Sequence, residues 1–105
     1  METTSQGETA VIALAGELDL AGAGTLEREL GALAADALVV DLRGLEFMDS
    51  SGLRAIALAA QRARAAGRRF ALIPGAAEVM RVFDITRMRE RLEFVSDPEE
   101  VAPGS

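Results

Sequence analysis

The sequence predicts an α/β fold: a mixed, largely parallel sheet of four to five strands with α-helices packed on it. Two observations lead there. Short apolar runs suited to buried strands alternate along the chain with segments whose leucines and alanines recur at helical spacing. The resulting order, strand, helix, strand, helix, strand, helix, strand, is the one that right-handed crossovers lay onto a parallel sheet. With 105 residues, half of them apolar, the chain has material for one core. A single domain is expected over residues 1–105, its core at about 9–95.

Residues 9–15 are apolar after Thr9, with Val11, Ala13 and Ala15 alternating with Ala10, Ile12 and Leu14, as in a strand buried on both faces. Gly16 is expected to end it. Residues 2–6 can pair with this strand as an edge across Gly7-Glu8, and their composition is equally compatible with a frayed terminus. After Asp19, Leu26, Leu30 and Leu33 mark an amphipathic helix over 21–34, in which Gly22, Gly24 and Gly31 each cost about 1 kcal/mol relative to alanine. Residues 37–42 (ALVVDL) have the β-branched, apolar character of a central strand, closed by Arg43-Gly44 and followed by a loop over 44–49.

The helix expected over 50–66 sets Leu53, Ile56, Ala57, Ala60 and Ala63 on one face and turns Arg54, Leu58, Gln61 and Arg62 away from it. Its mostly alanine stripe allows close approach to a sheet. Arg62 and Arg64 suit the last turn, and Gly67 suits the stop. A strand at 68–73 (RRFALI) runs into Pro74-Gly75, a helix at 76–85 turns Val79, Met80 and Phe83 inward, and 92–95 is the last strand. Residues 96–105, with Pro98 and Pro103, read as a frayed tail.

Composition excludes several kinds of chemistry. Without cysteine there is no disulfide, thiolate metal site or thiol nucleophile; without histidine there is no Ser-His-Asp hydrolase. The net charge of −6, from 17 acidic and 11 basic residues, opposes binding to a phosphate backbone, and the four aromatic residues are all Phe. Direct nucleic-acid binding is not expected. No apolar stretch reaches 18 residues and the first ten lack the pattern of a secretory signal, so the expected protein is cytoplasmic and does not bind membranes.

Chemistry concentrates in Phe47-Met48-Asp49-Ser50-Ser51-Gly52-Leu53, where a strand gives way to a helix. One Asp or Ser suffices to cap a helix, for roughly 1 kcal/mol. Here Asp49, Ser50 and Ser51 stand in succession, ahead of a glycine that weakens the helix. A phosphate on Ser50 would lie near free backbone N–H groups and the positive end of the helix dipole, where a folded domain tolerates it. Asp19 follows the end of another strand and, in a parallel sheet, comes alongside, although it serves equally well as an ordinary helix cap. These elements should meet at one end of the sheet, so the loop at 46–49, the helix start at Ser50 and the turn around Asp19 form the expected interaction surface. The carboxylates Asp19, Glu46 and Asp49 read as a solvated rim in preference to a magnesium site.

Four segments in this order resemble the STAS domains and, among them, the bacterial anti-sigma-factor antagonists: Gly16-Glu17-Leu18-Asp19, Val39-Val40-Asp41-Leu42, the segment from Phe47 to Leu53, and Arg81-Val82-Phe83-Asp84-Ile85-Thr86. The resemblance spans about residues 9–95. It implies a STAS-type fold and phosphorylation of Ser50, the serine after the aspartate, by a partner that is both anti-sigma factor and serine kinase and uses ATP and magnesium. The unphosphorylated protein would bind that partner through Asp19, Glu46, Met48, Asp49, Ser51 and Gly52. A serine phosphatase would restore it. The domain would then be substrate and ligand, not an enzyme, with no cofactor or metal, and a monomer when free. An alternative is a STAS subunit of a stress-signalling or lipid-transport complex that uses no phosphoswitch. Two departures stand out: Arg87 where the family usually has glycine, and a short C-terminal segment where it commonly has another helix.

Overall fold

The computed structural model describes residues 1–6 and 8–101. Its elements are β1 (Glu2–Gln6), β2 (Thr9–Leu18), α1 (Leu20–Ala32), β3 (Ala37–Met48), α2 (Ser50–Ala65), β4 (Arg69–Ile73), α3 (Ala77–Ile85) and β5 (Glu93–Phe94). Short 3-10 turns occupy Met88–Glu90 and Pro98–Val101. The strands form one sheet in the order β1-β2-β3-β4-β5, with β1 antiparallel to β2 and the other pairs parallel. The edge strand at 2–6 is thus formed.

Strand alternation builds two apolar layers. Ile12, Val40 and Leu72 lie across from one another and join Leu26, Ile56, Val79 and Phe83 in the larger core beneath the helices. Their neighbours Val11, Val39 and Ala71 face the other way, in a smaller cluster with Ala37, Ile73, Val95 and Val101. Fully apolar strands are required because both faces are covered. Among the described residues, no helix is long and apolar enough to cross a membrane.

Three expectations are corrected. Gly16 does not end β2: at φ +75° it lies at an irregularity in the pairing between β2 and β3, and the strand resumes to Leu18. β3 likewise absorbs most of the loop expected at 44–49 and runs to Met48. Gly44 lies opposite Ala15, where an added Cβ would come 2.8 Å from the Leu14 carbonyl oxygen, so the close pairing depends on that glycine. The tail does not fray up to Val101. The Ser96 and Asp97 N–H groups donate to the Glu100 carboxylate, each at 2.8 Å, and Val101 is fully buried against the second face. This turn covers the face that a C-terminal helix would otherwise close; the rest of the expected tail, 102–105, lies outside the described residues.

Candidate functional site

Leu18 pairs with Met48 at the end of β2 and β3, and the Asp49 N–H donates to the Leu18 carbonyl at 3.2 Å. The two strand ends therefore lie side by side, and each is followed by an aspartate in extended conformation that caps the next helix. Asp19 Oδ1 accepts from the Gly22 N–H at 3.1 Å. Asp49 Oδ1 accepts from the Ser51 and Gly52 N–H groups at 2.9 and 3.1 Å. Two helix N-termini, with their partial positive charge, thereby open at one end of the sheet.

Because Asp49 supplies the cap, the serines are not needed for it. Ser50 is exposed, Ser51 is half-buried, and neither hydroxyl has a hydrogen-bond partner among the described residues. Asp19 and Asp49 are half-buried beside them, and Glu46 is exposed near the end of β3. The expected group meets at this end of the sheet, with two corrections. Met48 is only 3% exposed and belongs to the core, so its truncation would open a cavity instead of removing a contact. Gly52 is buried as well. An added Cβ there would come 2.7 Å from the Leu18 carbonyl oxygen and 2.8 Å from both Leu18 Cγ and Met48 Cγ, so this glycine seats α2 on the strand ends. Both residues shape the surface from beneath.

Two apolar residues on this surface were not named among the expected contacts, although Phe47 falls within the expected surface at 46–49. Leu20 is 75% exposed at the start of α1, and Phe47 is 50% exposed at the end of β3. Leu20 was legible, since it lies off the Leu26 and Leu30 stripe. Phe47 was not: between Leu42 and Met48 the buried positions are Leu42, Leu45 and Met48, every third residue, and strand alternation fails to sort them. Between α1 and α2 runs an open groove of about 290 Å³ lined by Leu20, Ala23, Gly24, Glu27, Ser51, Arg54 and Ala55. Arg54 stands one helical turn after Ser50. Among the described residues, no three carboxylates gather closely enough to hold a metal ion.

The family model described as "Mlab, STAS domain" matches residues 1–95. This chain belongs to the STAS-domain family. Its STAS domain is 41% identical over 56 residues to the anti-sigma-F factor antagonist RsfB of Mycobacterium tuberculosis, a match covering 50% of this chain and 46% of that protein. The chain thus aligns with about half the length of the curated relatives it matches. Among solved structures, an anti-sigma factor antagonist from Mycobacterium paratuberculosis superposes with a TM-score of 0.84 at 22% identity, covering 95% of this chain and 87% of that one. The antagonist SpoIIAA superposes in its unphosphorylated form with a TM-score of 0.79 at 23% identity, over 95% of this chain and 91% of that one. Its phosphorylated Bacillus form gives 0.74 at 22% identity, over 95% of each chain. At these identities the likeness to the solved structures is one of fold.

Proposed function

We propose that this STAS domain is a cytoplasmic anti-sigma-factor antagonist whose state is set at Ser50. The observation that carries the reading is an exposed serine with an unengaged hydroxyl at a helix start already capped by Asp49. The half-length relationship to an anti-sigma-F factor antagonist supports it. In the unphosphorylated state the domain binds an anti-sigma factor that is also a serine kinase. Contact is made through Asp19, Glu46, Asp49 and Ser51, with Leu20 and Phe47 as apolar anchors. The Ser50 hydroxyl oxygen then attacks the γ-phosphorus of kinase-bound ATP-magnesium. The O–P bond to Ser50 forms, the bond to the β-phosphate oxygen breaks, ADP leaves, and the kinase takes the hydroxyl proton. A serine phosphatase reverses the modification.

Release is electrostatic. Phosphoserine carries about −1.5 to −2 charges at neutral pH, beside the carboxylate of Asp49. A partner carboxylate about 6 Å away, at an effective dielectric near 20, would be repelled by up to ~5 kcal/mol before screening. Even ~3 kcal/mol weakens binding on the order of a hundredfold. The fold accommodates the phosphate because the helix N-terminus favours negative charge and Arg54 lies four residues on, within pairing reach. The similarity of this chain to SpoIIAA in both forms supports a modification that spares the fold.

Ser50→Ala should bind the anti-sigma partner constitutively, and Ser50→Asp, with one negative charge in place of nearly two, roughly tenfold more weakly, both remaining folded. Affinities would be measured by calorimetry, and the modified residue located by mass spectrometry after incubation with kinase and ATP-magnesium. Phosphate on Ser51, or unchanged affinity after full modification of Ser50, would overturn the mechanism. Binding without any phosphorylation would return the alternative of a STAS subunit in another assembly.

A further inference from the structure

We infer that the end of the sheet opposite Ser50 carries a binding pocket for small phosphate-bearing anions. The pocket is about 200 Å³ and is lined by Ala60, Arg64, Arg68, Arg69, Phe70, Arg91, Leu92 and Glu93. All 11 basic residues of the chain are arginine, and four of them surround this one opening, in a molecule whose net charge is −6. Glu93 is the single acid among them. Ser50 starts α2 and Arg64 lies in its last turn, so the two sites are about 20 Å apart along the helix.

Two of the four guanidinium groups, those of Arg68 and Arg69, are held by hydrogen bonds. Arg68 donates through Nε to the Ala35 carbonyl at 2.7 Å and through Nη2 to the Leu33 carbonyl at 2.8 Å. Arg69 donates through Nε and Nη2 to the two oxygens of Glu93, at 3.1 and 2.5 Å. In both, Nη1 has no hydrogen-bond partner among the described residues. Arg64 Nη2 reaches the Arg91 carbonyl at 3.5 Å and links the last turn of α2 to the approach to β5. Fixing a guanidinium beforehand lowers the entropy lost when an anion binds. Planar guanidinium forks match both carboxylate and phosphate, but one carboxylate cannot neutralise this excess of positive charge. A multiply charged phosphate can. Ala60, Phe70 and Leu92 leave an apolar wall that keeps the pocket small, which favours a free anion over an extended acidic chain.

The inference is independent of the switch at Ser50. The test titrates the folded domain with sodium pyrophosphate, and separately with sodium chloride at matched ionic strength. Backbone and arginine Nε resonances are followed by NMR. Saturable shifts centred on Arg64, Arg68, Arg69 and Arg91, with a Kd of roughly 1 mM or tighter, are the expected result. The double variant Arg64→Gln/Arg91→Gln, which alters two exposed side chains, should weaken binding by roughly tenfold or more, and Arg81→Gln on α3 should leave it unchanged. Shifts that follow ionic strength alone, equal binding by the double variant, or a response to polyglutamate but not to pyrophosphate would overturn the inference.

Discussion

Arg87 has φ 61°, in the left-handed region that a residue with a Cβ rarely adopts, where α3 turns into the short helix at Met88–Glu90. The resemblance to STAS domains leads glycine to be expected here, and the backbone has the left-handed geometry that glycine adopts readily. Left-handed backbone costs a non-glycine residue about 1–2 kcal/mol, and part of any gain is returned through glycine's freer unfolded chain. Arg87→Gly should therefore stabilise the domain by about 0.5–1 kcal/mol, read as a higher urea midpoint with an unchanged slope. Gly52 predicts the opposite sign. An added methyl group would collide with the Leu18 carbonyl, a backbone atom that cannot move without disturbing β2, so Gly52→Ala should lower stability by about 2 kcal/mol or more in thermal unfolding. In the sequence Gly52 reads as a weak helix former and an expected partner contact; its role in seating α2 depends on Leu18, 34 positions away.

At the level of the element, β3 shows how a local signal can be truncated. Arg43-Gly44 has the composition of a strand end, yet pairing with β2 carries the strand on to Met48. Asp41 and Arg43 reinforce this stretch. Arg43 donates to the Asp41 carboxylate through Nε at 3.0 Å, Nη2 at 2.8 Å and its backbone N–H at 3.0 Å. The side-chain hydrogen bond from Arg43 is the main cause that holds the Asp41 pKa below its ordinary 3.8, against the opposing effect of partial burial. A depressed folded-state pKa contributes stability that is fully present above the unfolded value and disappears as pH falls through the lower folded value. Glu93, held below its ordinary 4.5 chiefly by hydrogen bonds from Arg69, acts in the same direction. The stability difference between the wild type and Asp41→Asn should accordingly be present at neutral pH and shrink as pH falls below the ordinary carboxylate value of 3.8, measured by urea unfolding at a series of acidic pH values.

Over the molecule as a whole, the described residues place the helices on one face of the sheet and the turn at Pro98–Val101 on the other. Val101 is fully buried there with Val11, Val39 and Ile73, and the Glu100 carboxylate fixes the turn by accepting from two backbone N–H groups. Val101→Ala should lower stability by about 2 kcal/mol. A chain ending at Ser96 should lose considerably more and bind a hydrophobic dye, because it uncovers Val39 and Ile73 together. Calorimetry and dye fluorescence would check both, and an unchanged melting temperature in either would show that the turn does not support the core.

The alternation of strands and helices, the buried face of α3, that of α2 except that Ala55 is buried and Ala57 only half-buried, and the position of Ser50 after a capping aspartate were legible in the sequence, because they follow from local periodicity and cap chemistry. So was the convergence of Asp19 with Asp49, since parallel strands bring their C-terminal ends together. What only the tertiary structure decided depends on contacts between distant residues. Pairing between β2 and β3 extended both strands past Gly16 and Gly44, burial moved Met48 and Gly52 from the surface to its support, and packing on the second face ordered a turn that two prolines and a polar composition made look frayed. The arginine pocket belongs to the same class: Arg64, Arg68, Arg69 and Arg91 come from three segments, and the return of α2, β4 and the approach to β5 to one end of the sheet gathers them.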